Sequence, residues 1–241
     1  MSQPRHRQLQ LAYVLHHTAY RDTGRILEVL TREHGRLSLF ARGVRGPKAK
    51  LAALLQPFQP LLLSFSGRSE APLLTGAELA GGCSALPPPA LLGCFYLNEL
   101  ILKLTTRHDP HPRLFDAYHA TLEELRAGAL LERRLRLFEK RLLEEVGYGL
   151  DLHAAAAGNG LDPQAWYLFR PTQGLVAAAA DAPDAIRGSS LCSLADERLG
   201  STAELQDARR LLSAALAHCL EGRPLRTRAV ARAMLPRETS A

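Results

Sequence analysis

The chain has 241 residues, enough for one large domain or two small ones, and its 46% hydrophobic and 22% charged content is typical of a globular protein. This composition argues against extensive disorder, and the net charge of +6 favours a polyanionic partner. No apolar run reaches the roughly 18 residues of a membrane span and no signal-peptide core is evident, so we expect a cytoplasmic protein without membrane contact.

The excess positive charge lies in the first third of the chain. Residues 1–80 contain eleven lysines and arginines but five acidic residues, a difference equal to the whole net charge. The densest stretch, ARGVRGPKAK at residues 41–50, has four cations, two glycines, one proline and no acid. Such a stretch is typical of an exposed loop whose backbone can approach a phosphate chain. We therefore predict nucleic-acid contact at this loop.

The first 80 residues show the pattern of a small β-barrel. Alternation of apolar residues predicts a first strand with one buried face, formed by Leu9, Leu11, Tyr13 and Leu15. Further apolar runs of strand length follow at residues 26–31, 36–41, 55–67 and 71–79. The second and third runs flank a charged turn in which Gly35 suits a hairpin. Five short strands at this spacing predict a closed barrel of the OB-fold type.

Helical periodicity begins after the three prolines at residues 87–89. We predict a hairpin at about 165–178 and helices at about 90–105, 113–126, 130–146 and 202–221. The first helix is expected to bury one face, formed by Leu91, Cys94, Phe95, Leu97, Ile101 and Leu104. The predicted fold class is α+β multidomain, with a five-stranded OB-fold barrel at residues 1–82 and a mostly α-helical domain with a small β-hairpin at residues 83–241.

The sequence contains none of the common phosphate-loop, dinucleotide-binding, zinc-protease or serine-hydrolase motifs, so we expect no enzyme activity. The strongest metal candidate is HDPH, with His108, Asp109 and His111, which a turn before a helix explains equally well. A metal-dependent hydrolase at this motif is one alternative. Four cysteines lie far apart without a CxxC pair and are read as reduced thiols: Cys83, Cys94, Cys192 and Cys219. We expect no metal and no other cofactor.

The helix predicted at 130–146 mixes basic and acidic residues. Glu132 and Arg136 have the i,i+4 spacing of an ordinary surface pair on one helix face. Most of this charge is therefore interpreted as solvated surface. Among the aromatic residues of the barrel half, Tyr20 is expected to be exposed because it ends a strand beside Arg21, whereas most of the others are assigned to the core.

Three segments together resemble the RecO family of bacterial recombination mediators. They are residues 12–50 with 55–67, FEKRLLEEVGYGLDL at 138–152, and GRPLRTRAVAR at 222–232, and they follow the family's order. The resemblance implies an N-terminal OB-fold followed by a helical domain. Some members carry a four-cysteine zinc module after the GYGLDL region. Here Cys192 stands alone, so the resemblance implies a zinc-free member whose hairpin is held by packing.

The resemblance also implies a non-catalytic role in DNA repair and recombination, in the RecF pathway. RecO-like proteins bind single- and double-stranded DNA and anneal complementary strands. With RecR, and with RecF in some pathways, they help load RecA onto DNA coated by single-strand binding protein (SSB), whose acidic C-terminal tail they recognise. A cytoplasmic, nucleoid-associated location would follow.

These expectations can be assigned to residues. DNA is expected on the barrel at Tyr20, Arg21, Arg25, Arg36, Arg42, Arg45, Lys48 and Lys50. The SSB tail, acidic with an apolar end, is expected to need an apolar groove rimmed by arginine, and the candidates are Arg133, Arg134, Arg226 and Arg228. The alternative is an OB-fold RNA-binding protein in translation or RNA processing, because a basic barrel fits that class as well.

Overall fold

The computed structural model describes residues 9–44, 50–67, 69–82, 84–152 and 160–234. The chain forms two compact units, residues 1–126 and 127–241. Two helices that follow the barrel belong to the first unit. The expected domain boundary at residues 82–83 stays a prediction.

The first unit is built on a closed five-stranded barrel with strand order β1-β2-β3-β5-β4. Its strands are β1 (Gln10–Tyr20), β2 (Gly24–Thr31), β3 (Gly35–Ala41), β4 (Leu61–Ser66) and β5 (Leu73–Leu79). Its helices are α1 (Lys50–Leu54), between β3 and β4, and then α2 (Pro88–Leu104) and α3 (Pro112–Arg126). Gly35 opens β3 with a φ of 63°, the left-handed conformation expected of the hairpin glycine. The predicted OB-fold barrel is confirmed.

The buried face predicted for the first strand is only partly correct: Tyr13 and Leu15 are buried as expected, whereas Leu11 is half-buried and Leu9 is exposed. Ala12 and Val14 point into the barrel core, and Tyr13 points out of it but is also fully buried. A β-bulge between Val14 and His16 shifts the register, and Leu9 lies outside the strand with half of its surface exposed. This part of β1 is buried on both faces, so its sequence lacks the alternation of a half-buried strand.

Helices α2 and α3 cover the outer side of β1. The Tyr13 ring packs edge-on against Tyr118 at 5.2 Å between centroids, and its hydroxyl lies 2.5 Å from Nδ1 of His119. Asn98 donates from Nδ2 to the carbonyl oxygen of Leu15 at 2.9 Å and accepts from the Tyr118 hydroxyl at 2.6 Å. In this buried contact, both tyrosine hydroxyls and the Asn98 side chain are therefore hydrogen-bonded, as a stable interior requires.

The face predicted for α2 is only partly correct. Leu91 and Phe95 are 38% and 44% exposed, although Cys94, Leu97 and Ile101 are buried as expected. The buried surface also includes Tyr96, Asn98 and Leu100. The helix is apolar on most of its circumference, so periodicity alone could not distinguish the packed side from the exposed one.

The second unit combines helices with a small sheet. Its elements are α4 (Leu131–Glu145), β6 (Trp166–Arg170), β7 (Gly174–Ala178), β8 (Ile186–Arg187), α5 (Gly188–Ala195), α6 (Thr202–Cys219) and α7 (Arg226–Met234). The sheet order is β7-β6-β8, so the expected hairpin gains a third strand. Ser201 and Glu204 form a capping box at the start of α6. In the described part of the chain, no helix is long and apolar enough to cross a membrane.

The charges of α4 are arranged differently from the prediction. Arg136 pairs with Glu139 at 2.7 Å, not with Glu132, and both partners are buried. Lys140 donates to the Ala195 carbonyl at 3.1 Å and Arg133 to the Glu197 carbonyl at 3.0 Å. These two cations lie at the C-terminal end of α5, where a helix dipole favours positive charge.

Candidate nucleic-acid interface

One end of the barrel carries two aromatic rings and two arginines, which we call the tip cluster: Tyr20, Arg21, Phe40 and Arg42. The Tyr20 ring stands edge-on to Phe40, with centroids 5.4 Å apart and planes at 79°. The Arg21 guanidinium lies 5.3 Å from the Tyr20 centroid, and that of Arg42 lies 5.8 Å from the Phe40 centroid. Each arginine thus makes a cation–π contact with one ring.

The sequence brings the tip cluster together through one tight turn. Tyr20 ends β1 and pairs with Gly24, the first residue of β2. A Cβ atom at Gly24 would lie 2.7 Å from the Phe40 ring and 2.9 Å from the Tyr20 carbonyl oxygen. Glycine at this position therefore permits the close approach of the two aromatic residues. Sequence reasoning did not predict a role for Phe40. The signal that could have found it is its spacing of two residues from Arg42, which places both side chains on the same face of an extended strand.

The predicted basic loop leaves the barrel beside this turn. The Val44 amide donates to the Thr23 carbonyl at 2.9 Å, and the Val44 side chain is buried in the barrel core. Arg42 is exposed just before this anchor. The other cations predicted for the loop lie outside the described residues: Arg45, Lys48 and the side chain of Lys50.

Arg25 lies on a different face from the tip cluster. It pairs with Ala41, whose side chain is in the barrel core, and is two residues before Leu27, which is in the core too. Arg25 therefore faces the interior side of the barrel end, where it is half-buried. The pKa of His17 lies below its ordinary value, mainly because the ring is partly buried. Repulsion from Arg25 and, to a smaller extent, from His16 lowers the pKa further.

Arg36 is engaged in an ion-pair network that we call the Glu28 clamp: Glu28, Arg36, Ser38 and Arg107. Arg36, with a side chain 13% exposed, donates to Glu28 Oε2 at 2.8 Å and to the Thr105 carbonyl at 2.8 Å. Ser38 and Arg107 donate to Glu28 Oε1 at 2.5 and 2.6 Å. Burial raises the pKa of Glu28, but the hydrogen bonds from Arg107, Ser38 and Arg36 outweigh it and leave the pKa below its ordinary value. The structure places Arg36 apart from the tip cluster.

The HDPH motif packs against the β2–β3 turn. The His108 amide donates to the Arg36 carbonyl at 2.9 Å, and His111 Nε2 lies 3.3 Å from Asp109 Oδ2. A Cβ atom at Gly35 would lie 2.0 Å from the Asp109 carbonyl oxygen. Within the residues that the structure describes, no group of three or more His, Cys, Asp or Glu side chains could hold a metal ion.

The arginines predicted for the SSB tail lie on two helices. Arg133 and Arg134 are half-buried on α4, where Arg133 already donates to a carbonyl. On α7, Arg228 donates to Ser213 Oγ at 3.3 Å, and Arg226 is exposed. Helical spacing places Arg226 in one stripe with Val230 and Met234, which are 49% and 73% exposed.

Sequence reasoning did not predict a cleft of about 560 Å³ beside β6 and α6. Leu168, Phe169 and Leu211 are among its apolar lining residues, and Arg170 and Arg210 contribute positive charge. Arg210 donates to the Ala185 carbonyl at 2.7 Å and lies 3.5 Å from Asp207, so part of its charge is already balanced.

Comparison with known proteins matches both parts of the chain to family models. The model described as "Recombination protein O N terminal" covers residues 7–82, and "Recombination protein O C terminal" covers residues 88–229. A DNA repair protein RecO from Methylococcus capsulatus is 44% identical over 91% of both chains. That of Thiobacillus denitrificans is 41% identical over 91% of this chain and 90% of its own, and that of Burkholderia pseudomallei is 41% identical over 92% and 82%.

Proposed function

This chain belongs to the RecO family of DNA repair proteins, and we propose that it is a non-catalytic recombination mediator. In this role it binds single- and double-stranded DNA and anneals complementary strands. With RecR, and with RecF where that protein takes part, it helps load RecA onto DNA coated by SSB. It acts in the cytoplasm, at the nucleoid, and needs no cofactor.

The observation that carries the DNA-binding proposal is the position of two arginines at one end of the barrel. Arg21 and Arg42 belong to the tip cluster, and the basic loop begins beside Thr23 of the same turn. Cations gathered at one site bind a phosphate chain by displacing its counterions. Two strands partly neutralised on one protein repel each other less, which favours annealing.

The proposed DNA-binding residues differ in what they can do. Arg21 and Arg42, with Tyr20 and the loop residues Arg45, Lys48 and Lys50, are proposed to contact DNA directly. Arg25 is half-buried on the interior side, and Arg36 is held by the carboxylate of Glu28. We expect these two arginines to contribute positive potential, which acts at longer range than contact.

Fluorescence anisotropy across a salt series tests the DNA-binding proposal. Arg42→Glu should weaken binding of single- and double-stranded oligonucleotides and reduce the slope of log affinity against log salt by about one. Arg209→Glu is the matched control, because Arg209 is exposed on α6 and the substitution changes net charge equally. Equal losses in both variants would show that net charge alone acts, and unchanged slopes would remove Arg42 from the interface.

The SSB tail is proposed to bind the exposed stripe of α7. The helix carries Arg226 and Arg228 and no acidic residue, beside the exposed apolar residues Val230 and Met234. An acidic peptide with an apolar end would place its charges near the arginines and its end on the apolar side chains. Arg133 and Arg134 on α4 are proposed to add positive potential, since Arg133 already donates to a carbonyl.

A further inference from the structure

OB-folds bind oligonucleotides on the barrel face formed by strands 2 and 3. In this chain, contacts within the protein already cover much of that face. Here it carries Glu28, Ser38 and Arg36, because the alternate residues Leu37, Leu39 and Ala41 point into the core. The Glu28 clamp ties this part of the face to Arg107 and the Thr105 carbonyl. The tip cluster lies farther along the same face.

We propose that Tyr20, supported by Phe40, is a stacking site for one unpaired nucleobase and gives the tip cluster its selectivity for single strands. This inference rests on the proposed function, because it assumes that DNA reaches this end of the barrel. The proposed function requires only contact with phosphates, whereas a stacking site also recognises the face of a base.

The tip cluster has the properties of a stacking platform. Tyr20 is 41% exposed, so part of the residue is open to a ligand. The Phe40 ring supports it edge-on, and the Phe40 backbone is fixed by pairing with Ile26 and by donation from its amide to the Pro72 carbonyl at 2.9 Å. A ring held in this way loses little conformational freedom when a base stacks on it.

Arg21 covers the site in the absence of DNA. Its guanidinium lies over the Tyr20 ring, where a stacked base would displace it. A surface cation–π contact changes an equilibrium by about two- to fivefold. Stacking of a base on an aromatic side chain changes affinity by about five- to more than a hundredfold. The base therefore displaces the guanidinium, and Arg21 becomes available to a neighbouring phosphate.

Placing a base of duplex DNA on this site costs more free energy than placing a base of a single strand. Its bases are stacked on each other, and extruding one requires breaking pairing and stacking. A duplex would contact the arginines through its phosphates and leave the Tyr20 ring covered. The tip cluster should therefore distinguish single from double strands through Tyr20, whereas Arg42 should serve both.

An abasic oligonucleotide isolates the contribution of the base. The full chain and its Tyr20→Ala and Tyr20→Phe variants are titrated by anisotropy into labelled oligothymidine, an abasic oligonucleotide of equal length and a duplex. Tyr20→Ala should weaken oligothymidine binding by about tenfold and change the other two affinities by less than about twofold. Tyr20→Phe keeps the ring and should retain oligothymidine binding. Thermal unfolding checks that each variant is folded.

The outcomes separate this inference from the proposed function. Salt-sensitive binding that Tyr20→Ala leaves unchanged, or weakens equally for oligothymidine and abasic DNA, would overturn base stacking and leave the DNA-binding proposal intact. No binding of any of the three ligands by the unmodified chain at low salt would overturn both. A loss confined to oligothymidine and rescued by Tyr20→Phe supports the stacking site.

Discussion

Glu28 on β2 and Arg107, in the turn after α2, are 79 positions apart in the chain and form an ion pair at 2.6 Å. Arg36 on β3 holds the other carboxylate oxygen at 2.8 Å. One poorly exposed carboxylate thus connects two strands of the barrel to the end of a helix. Removing it would leave the poorly exposed Arg36 without its main anionic partner.

Glu28→Gln should therefore destabilise the protein in a pH-dependent way. We expect a loss of roughly 2–3 kcal/mol at pH 7. The pKa of Glu28 lies below its ordinary value of 4.5, so its contribution is fully present above that pH and is lost as the pH falls through the folded-state pKa. Urea unfolding between pH 7 and pH 3 should show the variant and the unmodified chain converging. Glu78→Gln, at an exposed position of β5, is the control and should show little difference at any pH.

Gly35→Ala should be among the most damaging single-methyl additions in the barrel. The new Cβ would lie 2.0 Å from the Asp109 carbonyl oxygen, a backbone atom, at a φ of 63°. The left-handed conformation alone costs about 1–2 kcal/mol for a residue with a Cβ, and the clash adds to it. Gly43→Ala is the matched control, because Gly43 has a φ of 66° and nothing within 4 Å. Chemical denaturation should give a clearly larger loss for Gly35→Ala; equal losses would mean that the loop at Asp109 moves aside.

Asn98→Leu should remove both hydrogen bonds between the Asn98 side chain and its neighbours. Asn98 is 2% exposed and satisfies the Leu15 carbonyl and the Tyr118 hydroxyl. Losing both hydrogen bonds inside this buried contact should cost about 3 kcal/mol. Adding Tyr118→Phe removes the hydroxyl that loses its bond to Asn98, so the double variant should be less destabilised than the sum of the single ones. Strict additivity in equilibrium unfolding would contradict the coupling of Asn98 and Tyr118.

Arg226→Glu should weaken binding of an acidic peptide with an apolar C-terminal end by about tenfold or more, because it reverses a charge in the α7 stripe. Arg170→Glu places the same change at the cleft beside β6 and serves as the comparison. Titration of a labelled peptide into each variant measures the effect. A loss confined to Arg170→Glu would move the proposed tail site from α7 to the cleft.

Local patterns predicted the fold wherever the structure depends on local chemistry. The turn at Gly35 was predicted, because a left-handed glycine is determined by a few neighbouring residues, and the helix predicted at about 202–221 is α6. The burial of Ala12 and Val14 in β1 and the exposure of Leu91 and Phe95 in α2 were not predicted. Those depend on which element packs against which surface, and single-chain periodicity does not contain that information.

The candidate site shows the same limit. Tyr20 and Arg42 were identified because exposure at a strand end and charge in a loop are local properties. Phe40 was not singled out among the barrel aromatic residues, although it supports the Tyr20 ring, and nothing in the sequence indicated that Arg107 holds Glu28. Arg36 was predicted to contact DNA because its partners within the protein cannot be read from the sequence. Its partners are Glu28 on the neighbouring strand β2 and the carbonyl of Thr105.

The burial of β1 on both faces limits how the protein can be shortened. A fragment that ends at residue 82 would keep all five strands but expose Tyr13, which is 0% exposed in the whole chain, on an outer wall of the barrel. Such a fragment should aggregate, because a newly uncovered apolar wall invites association between molecules. Arg126, the last residue of α3, donates to the carbonyl oxygens of Phe58 and Ser84. The shortest well-behaved fragment that retains the tip cluster should therefore extend through Arg126.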